Sequence, residues 1–181
     1  MATYEFILTE FFTLLHPKAF PSFDAFEADP GLEDRAKCRQ VLNDMRAKLK
    51  AAAKRVFDLE LDGTAESLSA IDRLITPRRA ELWMKESDPD ELGNFFKVTI
   101  SEFGVYFGDM LVRDLAGGWR YARMPNWTLS SVVIEDIQFH VFDSVIKKCS
   151  DDFGHETLAE KYRQFSSIVI AKRTGSGSTP N

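Results

Sequence analysis

Apolar residues recur at three- and four-residue steps along most of this chain, which predicts helices, and alternate over one short stretch, which predicts strands. The pattern is organised around 88–124, DPDELGNFFKVTISEFGVYFGDMLVRDLAGGWRYARM. Phe96, Ile100, Phe103, Phe107, Met110 and Leu111 form the buried face of a long central helix, about 89–115. Asp88 is its expected N-cap and Pro89 its first helical residue, with Asp90 and Glu91 at the positive end of the helix dipole. Gly104 and Gly108, four apart, leave a strip with no side chains. Glycine inside a helix costs roughly 1 kcal/mol against alanine, so the strip needs a reason. Either a neighbour packs closely there, or room opens for a ligand beside Tyr106 and Asp109; packing is the favoured reading. Gly117-Gly118 is expected to end the helix as a left-handed C-cap.

Around this segment the pattern places further elements. Residues 4–15 fit a short buried helix or a strand equally well, and 16–31 form a proline-rich loop anchored by Phe20, Phe23 and Phe26. A long helix follows from Leu32 to about Leu59, its stripe made of Cys38, Val41, Leu42, Met45, Leu49, Ala52, Val56 and Leu59. Thr64 caps a helix carrying Leu68, Ile71, Leu74 and Ile75, and Pro77 opens another after a break. Trp119 to Met124 alternates as a strand, Pro125-Asn126 turns, and Trp127 to Ile134 returns as its hairpin partner. Asp136 starts a helix with Phe139, Phe142, Val145, Ile146 and Cys149 on one side. Thr157 and Glu160 spell a capping box for a last helix with Leu158, Tyr162, Phe165, Ile168 and Val169 apolar.

The expected fold class is therefore α+β: a helix-rich single domain over 1–171, with a small antiparallel sheet (hairpin about 118–134) packed on the central helix. Residues 1–62 read as an N-terminal helical extension, 64–170 as the α+β core and 172–181 as a disordered tail. An apolar share of 44% and a charged share of 28% in 181 residues suit an ordinary globular chain. No run approaches the ~18 apolar residues needed to span a bilayer, and MATYEFILTEFF lacks the features of a signal peptide. Cys38 and Cys149, far apart in sequence, read as buried free thiols of a cytoplasmic protein.

Charge is segregated within a net charge of −5. The helix 35–55 concentrates Arg35, Lys37, Arg39, Arg46, Lys48, Lys50, Lys54 and Arg55. Residues 86–114 hold Glu86, Asp88, Asp90, Glu91, Glu102, Asp109 and Asp114 against Lys97 and Arg113. Two explanations remain open, internal pairing or an acidic surface for a basic partner. Nucleic-acid binding by the basic helix ranks last, because acids intersperse it and no glycine-aromatic RNA motif accompanies it.

Motifs of chemistry are sparse. Neither GxxxxGK[ST] nor GxGxxG occurs, and no GxSxG elbow is present. His140 and Asp143, three apart, would suit an oriented base or half a metal site, but a structural histidine is the plainer reading. Glu102 and Asp109 lie seven apart on the central helix, flanking Tyr106, as a paired-carboxylate candidate or simply a solvated helix edge. No catalytic residue, metal site or cofactor is assigned. The candidate contacts for a ligand or partner are Glu102, Tyr106, Asp109, Trp119 and His140.

The segments FGVYFGDMLVRDL, GGWR, FHVFDSVIKKC and LAEKY, spread over 65–165, resemble small bacterial domain families that share an FGxxL…GGW core and have no assigned activity. Some families of similar look occur near toxin and immunity genes. The resemblance implies structural motifs and no catalytic ones. The function expected is a non-enzymatic cytoplasmic protein-binding domain, an immunity-like inhibitor of a basic partner. The alternative is a small-molecule or cryptic enzyme domain with a pocket near Tyr106, Asp109, Trp119 and His140. A homo-oligomer is compatible with this reading, and no membrane partner is expected.

Overall fold

A computed structural model describes residues 3–4, 32–86, 95–122 and 127–175. The expected helix or strand over 5–15, the loop to 31, the start of the central helix at 88–94, the turn at Pro125-Asn126 and the tail from 176 lie outside the described residues. Helix α1 runs Leu32–Phe57, α2 Ala65–Leu74, α3 Pro77–Glu86 and α4 Phe95–Leu115. Then come β1 (Gly118–Arg120), a 3-10 turn (Trp127–Leu129), β2 (Ser131–Ile134), β3 (Ile137–Phe139), α5 (Val141–Lys148) and α6 (Leu158–Gly175). Helix-rich α+β is the class observed, with an antiparallel sheet in the order β1-β2-β3.

The central helix is enclosed along most of its surface. It touches α1, α3, α5, α6, β1 and β2. The expected face is buried, and so are Thr99, Ser101, Val105, Tyr106 and Leu115 on the others. A helix hydrophobic nearly all round belongs in the middle of a fold, not at its edge. Helix α1 contributes Cys38, Leu42, Leu49 and Ala53 to the same core. It is thus built into the body of the fold. Its stripe is rotated from expectation, since Ala53 is buried while Val56 is 47% exposed. Likewise Ile168 of α6 stands 51% exposed, with Leu158, Ala159 and Val169 turned inward.

Local signals explain most of the helix ends. Thr64 caps α2 by accepting from the Ser67 amide. Thr157 and Glu160 form the reciprocal capping box: the Glu160 amide donates to Thr157 Oγ1 and the Thr157 amide to Glu160 Oε2. At the far end α6 runs on through Lys172 and Arg173, beyond the expected start of the tail. Arg173 Nη2 there donates to the carbonyl of Leu115 at 2.7 Å, satisfying an orphan acceptor at the end of α4.

Two local expectations are corrected. First, the left-handed residue that ends α4 is Ala116, at φ +53°, and not the glycine pair. The Gly117 amide donates back to the Val112 carbonyl, the six-to-one bond of a Schellman ending. Gly117 serves packing instead: a Cβ there would lie 2.6 Å from Ile134 Cγ1. Alanine pays roughly 1 kcal/mol in this backbone region, so Ala116→Gly is expected to raise stability by about 0.5–1 kcal/mol. A higher urea midpoint at unchanged slope would show it; a lower one would mean that the methyl group packs usefully.

Second, a third strand precedes α5. Ile134 pairs with Ile137 across a two-residue turn, and Val132 pairs with both Trp119 and Phe139. Glu135 in that turn takes φ +57°. Phe139 is buried as expected, but from a strand. The spacing from Phe139 to Phe142 is that of a helix turn, which hides the three-residue strand in the sequence pattern.

Candidate functional site

The glycine strip on α4 is filled by two aromatic rings. A Cβ on Gly104 would lie 2.4 Å from Phe142 Cδ1, and one on Gly108 would lie 2.3 Å from Trp119 Cζ2. The two rings also meet each other, their centroids 6.1 Å apart. Packing, not a ligand, is what the glycines make room for. The ring lying on Gly108 reaches the next residue as well, because Trp119 Nε1 donates to Asp109 Oδ1 at 2.9 Å.

Asp109 is gripped from its other side by α1. Arg46 Nε donates to Oδ2 at 2.5 Å and Nη2 to Oδ1 at 2.7 Å. This two-pronged geometry is the strong form of the arginine–carboxylate contact. The hydrogen bond to Asp109 holds the Arg46 guanidinium above its ordinary value, against partial burial. With the tryptophan, three donor atoms occupy the two oxygens of this carboxylate. One turn earlier, the buried Tyr106 is committed too. Its hydroxyl accepts from the Gly63 amide at 2.7 Å and shares a hydrogen bond with Ser67 Oγ at 2.5 Å.

The remaining candidates do not join them. Glu102 is half-buried, and burial pushes its carboxyl up while Lys48 of α1 draws it back. His140 is the exposed residue capping α5, with no side-chain cap hydrogen bond. Its expected partner Asp143 is engaged by the Tyr4 hydroxyl and by Lys147 Nζ at 3.0 Å. Both cysteines are buried and free. Burial pushes the thiols of Cys38 and Cys149 up, the opposite of an activated nucleophile. Among the described residues no group of three or more metal-ligating side chains assembles. No described helix is long and apolar enough to cross a membrane.

Among the described residues, part of the segregated charge is paired internally. Arg46 meets Asp109, Lys48 faces Glu102, and Lys54 bridges Asp58 and Glu60 at 2.6 and 3.0 Å. Arg113 is paired with its neighbour Asp114, which also accepts from Tyr162 at 2.6 Å.

Two concave surfaces flank α1. A cleft of about 450 Å³ opens between α1, the turn at Gly63 and α4, with Tyr106 and Asp109 in its wall. Trp119 and His140 are absent from that wall, so half of the expected pocket forms. Arg46, Lys50, Gly63 and Arg113 complete it and were not singled out by sequence. Only the opposite charges of the two helices hinted at the pairing. A second groove of about 540 Å³ runs between α1 and α3, floored by Phe57, Leu74 and Trp83 and flanked by Val56 and Leu82. No protein-family model matches the chain, and neither a curated protein nor a solved structure is significantly similar to it.

Proposed function

We propose that this chain is a non-enzymatic cytoplasmic binding domain for a protein partner, with the groove between α1 and α3 as its contact surface. One observation carries the reading. Val56 and Leu82 are 47% and 46% exposed, and both edge one concave surface that has an aromatic floor. Single exposed apolar side chains are ordinary, whereas two around a groove are what an amphipathic segment uses for anchorage. Arg55, Arg79, Asp58 and Glu86 surround the floor with both signs of charge, the mixed polar rim of a protein interface.

The partner's chemistry follows from the ion pairs. An immunity-like inhibitor would offer its acidic helix to a basic target, but Asp109, Glu102 and Asp114 on α4 already have cationic neighbours within the fold. The groove is apolar at its floor and edges, so apolar anchorage takes precedence over charge in this proposal. Buried free thiols fit the reducing compartment it places the protein in.

Affinity capture from native lysate with a groove variant alongside tests the proposal. The wild-type chain is expected to retain a stoichiometric partner that Leu82→Glu loses, while Glu66→Lys on the exposed side of α2 retains it. Leu82 is exposed, so the charge is expected to leave folding intact. Capture of no partner, or of one indifferent to Leu82→Glu, would remove the groove from the function.

A further inference from the structure

We propose that the cleft between α1 and α4 is a binding site for a small amphipathic carboxylate. Its size, about 450 Å³, lies in the range of small-molecule sites. The apolar part of the wall comes from Leu49, Met110, Val112 and the Tyr106 ring. Polar groups at the opening decide the ligand's sign.

The acids there already hold donors. Asp109 accepts from Arg46 and Trp119, and Asp62 Oδ1 accepts from the amide and the hydroxyl of Thr64 at 3.0 and 2.7 Å. Arg46 is committed in turn, with Nη1 on Asn43 and its other two donor atoms on Asp109. What remains uncommitted is cationic. Lys50 Nζ makes no hydrogen bond or ion pair among the described residues, and it borders the cleft. Arg113 uses Nε and Nη2 on Asp114 and on the Gly63 carbonyl, which leaves Nη1 uncommitted.

Gly63 holds that second cation in place. A Cβ at position 63 would lie 2.1 Å from Arg113 Nη1, and the backbone there takes φ +82°. The turn therefore accepts only glycine without displacing the guanidinium. A carboxylate would take Lys50 as a point charge and Arg113 Nη1 as a directed donor, with its hydrocarbon body against Leu49 and Met110. Neutral or cationic molecules of the same shape would gain only the apolar contact.

Sodium octanoate, octanol and octylammonium titrated into the 15N-labelled chain separate these cases. Octanoate is expected to shift the Gly63 amide saturably, with millimolar or tighter affinity, and octylammonium is expected not to. Lys50→Glu should weaken octanoate about tenfold or more with the melting temperature unchanged, since Lys50 is exposed; Lys50→Arg should keep most of the affinity. No saturable shift at Gly63, an equal response to octylammonium, or indifference to Lys50→Glu would overturn the site. The groove between α1 and α3 shares no residue with this cleft, so either proposal can fail alone.

Discussion

Replacing Gly104 and Gly108 together with alanine is expected to lower the unfolding free energy by up to about 4 kcal/mol, although alanine is the better helix former. On propensity alone each change would stabilise α4 by roughly 1 kcal/mol. The added methyl groups would fall 2.4 Å from Phe142 Cδ1 and 2.3 Å from Trp119 Cζ2, far inside van der Waals contact. Neither ring can yield cheaply. Phe142 is fully buried, and Trp119 is fixed between α4 and its hydrogen bond to Asp109. Forcing a ring aside in a close-packed core costs about 1–3 kcal/mol per site, which equals or exceeds the propensity gain. Because the two rings touch, the single variants should not add simply to the double. Urea unfolding of the two singles and the double measures this. Stabilisation by either alanine would mean that the strip is open and that the rings are not held against it.

The second large effect concerns Asp72, a carboxylate of α2 that is only 9% exposed. It accepts from the amides of Leu158 and Ala159, at 2.8 and 3.1 Å, and so caps α6 from 86 residues away in sequence. Two first-turn amides depend on it, and unsatisfied buried donors cost roughly 1–3 kcal/mol each. Asp72→Ala should therefore destabilise by about 3 kcal/mol. Asp72→Asn, which keeps one acceptor oxygen, should cost about half as much.

The same carboxyl has a pH signature. Burial pushes it above its ordinary value, outweighing the two amides and Lys148, which act downward. The folded state thus holds the proton more tightly than the unfolded chain. Asp72's contribution is fully present below its unfolded pKa of about 3.9 and is lost as pH rises through the higher folded value. Asp114, Glu156 and Glu160, held below their ordinary values by partners, act in the opposite direction. The difference in stability between wild type and Asp72→Asn isolates the one group. The advantage of the wild type over the variant should shrink as pH rises from about 3.5 to 7. A difference flat across that range would show that Asp72 titrates alike in both states.

Helical periodicity, the caps at Thr64 and Thr157–Glu160, and the break before Pro77 were legible because each depends on residues within a turn or two. The glycine spacing on α4 was legible as well, as a question. Its answer came from Phe142 and Trp119, which local spacing cannot place against Gly104 and Gly108. The candidate site was legible by half: Tyr106 and Asp109 line a cleft, while Trp119 supports Asp109 from outside it and His140 stands elsewhere. Arg46 was visible only as one of eight basic residues on its helix. Nothing in the sequence singles out the partner 63 positions away that it grips.

By itself, then, the sequence determined the helices, most of their ends, the central position of 95–115 and the need for something to lie on two bare turns of it. Backbone hydrogen bonding and side-chain periodicity are local, so they survive in one dimension. Tertiary structure alone decided that Ala116, not glycine, takes the left-handed turn, that Phe139 belongs to a strand, and that two rings fill the glycine strip. It also decided that Arg46 of α1 and Asp109 of α4 are joined. Those outcomes depend on which segments the chain folds back upon, and a clash, an ion pair or a ring contact exists only once that reversal has been made.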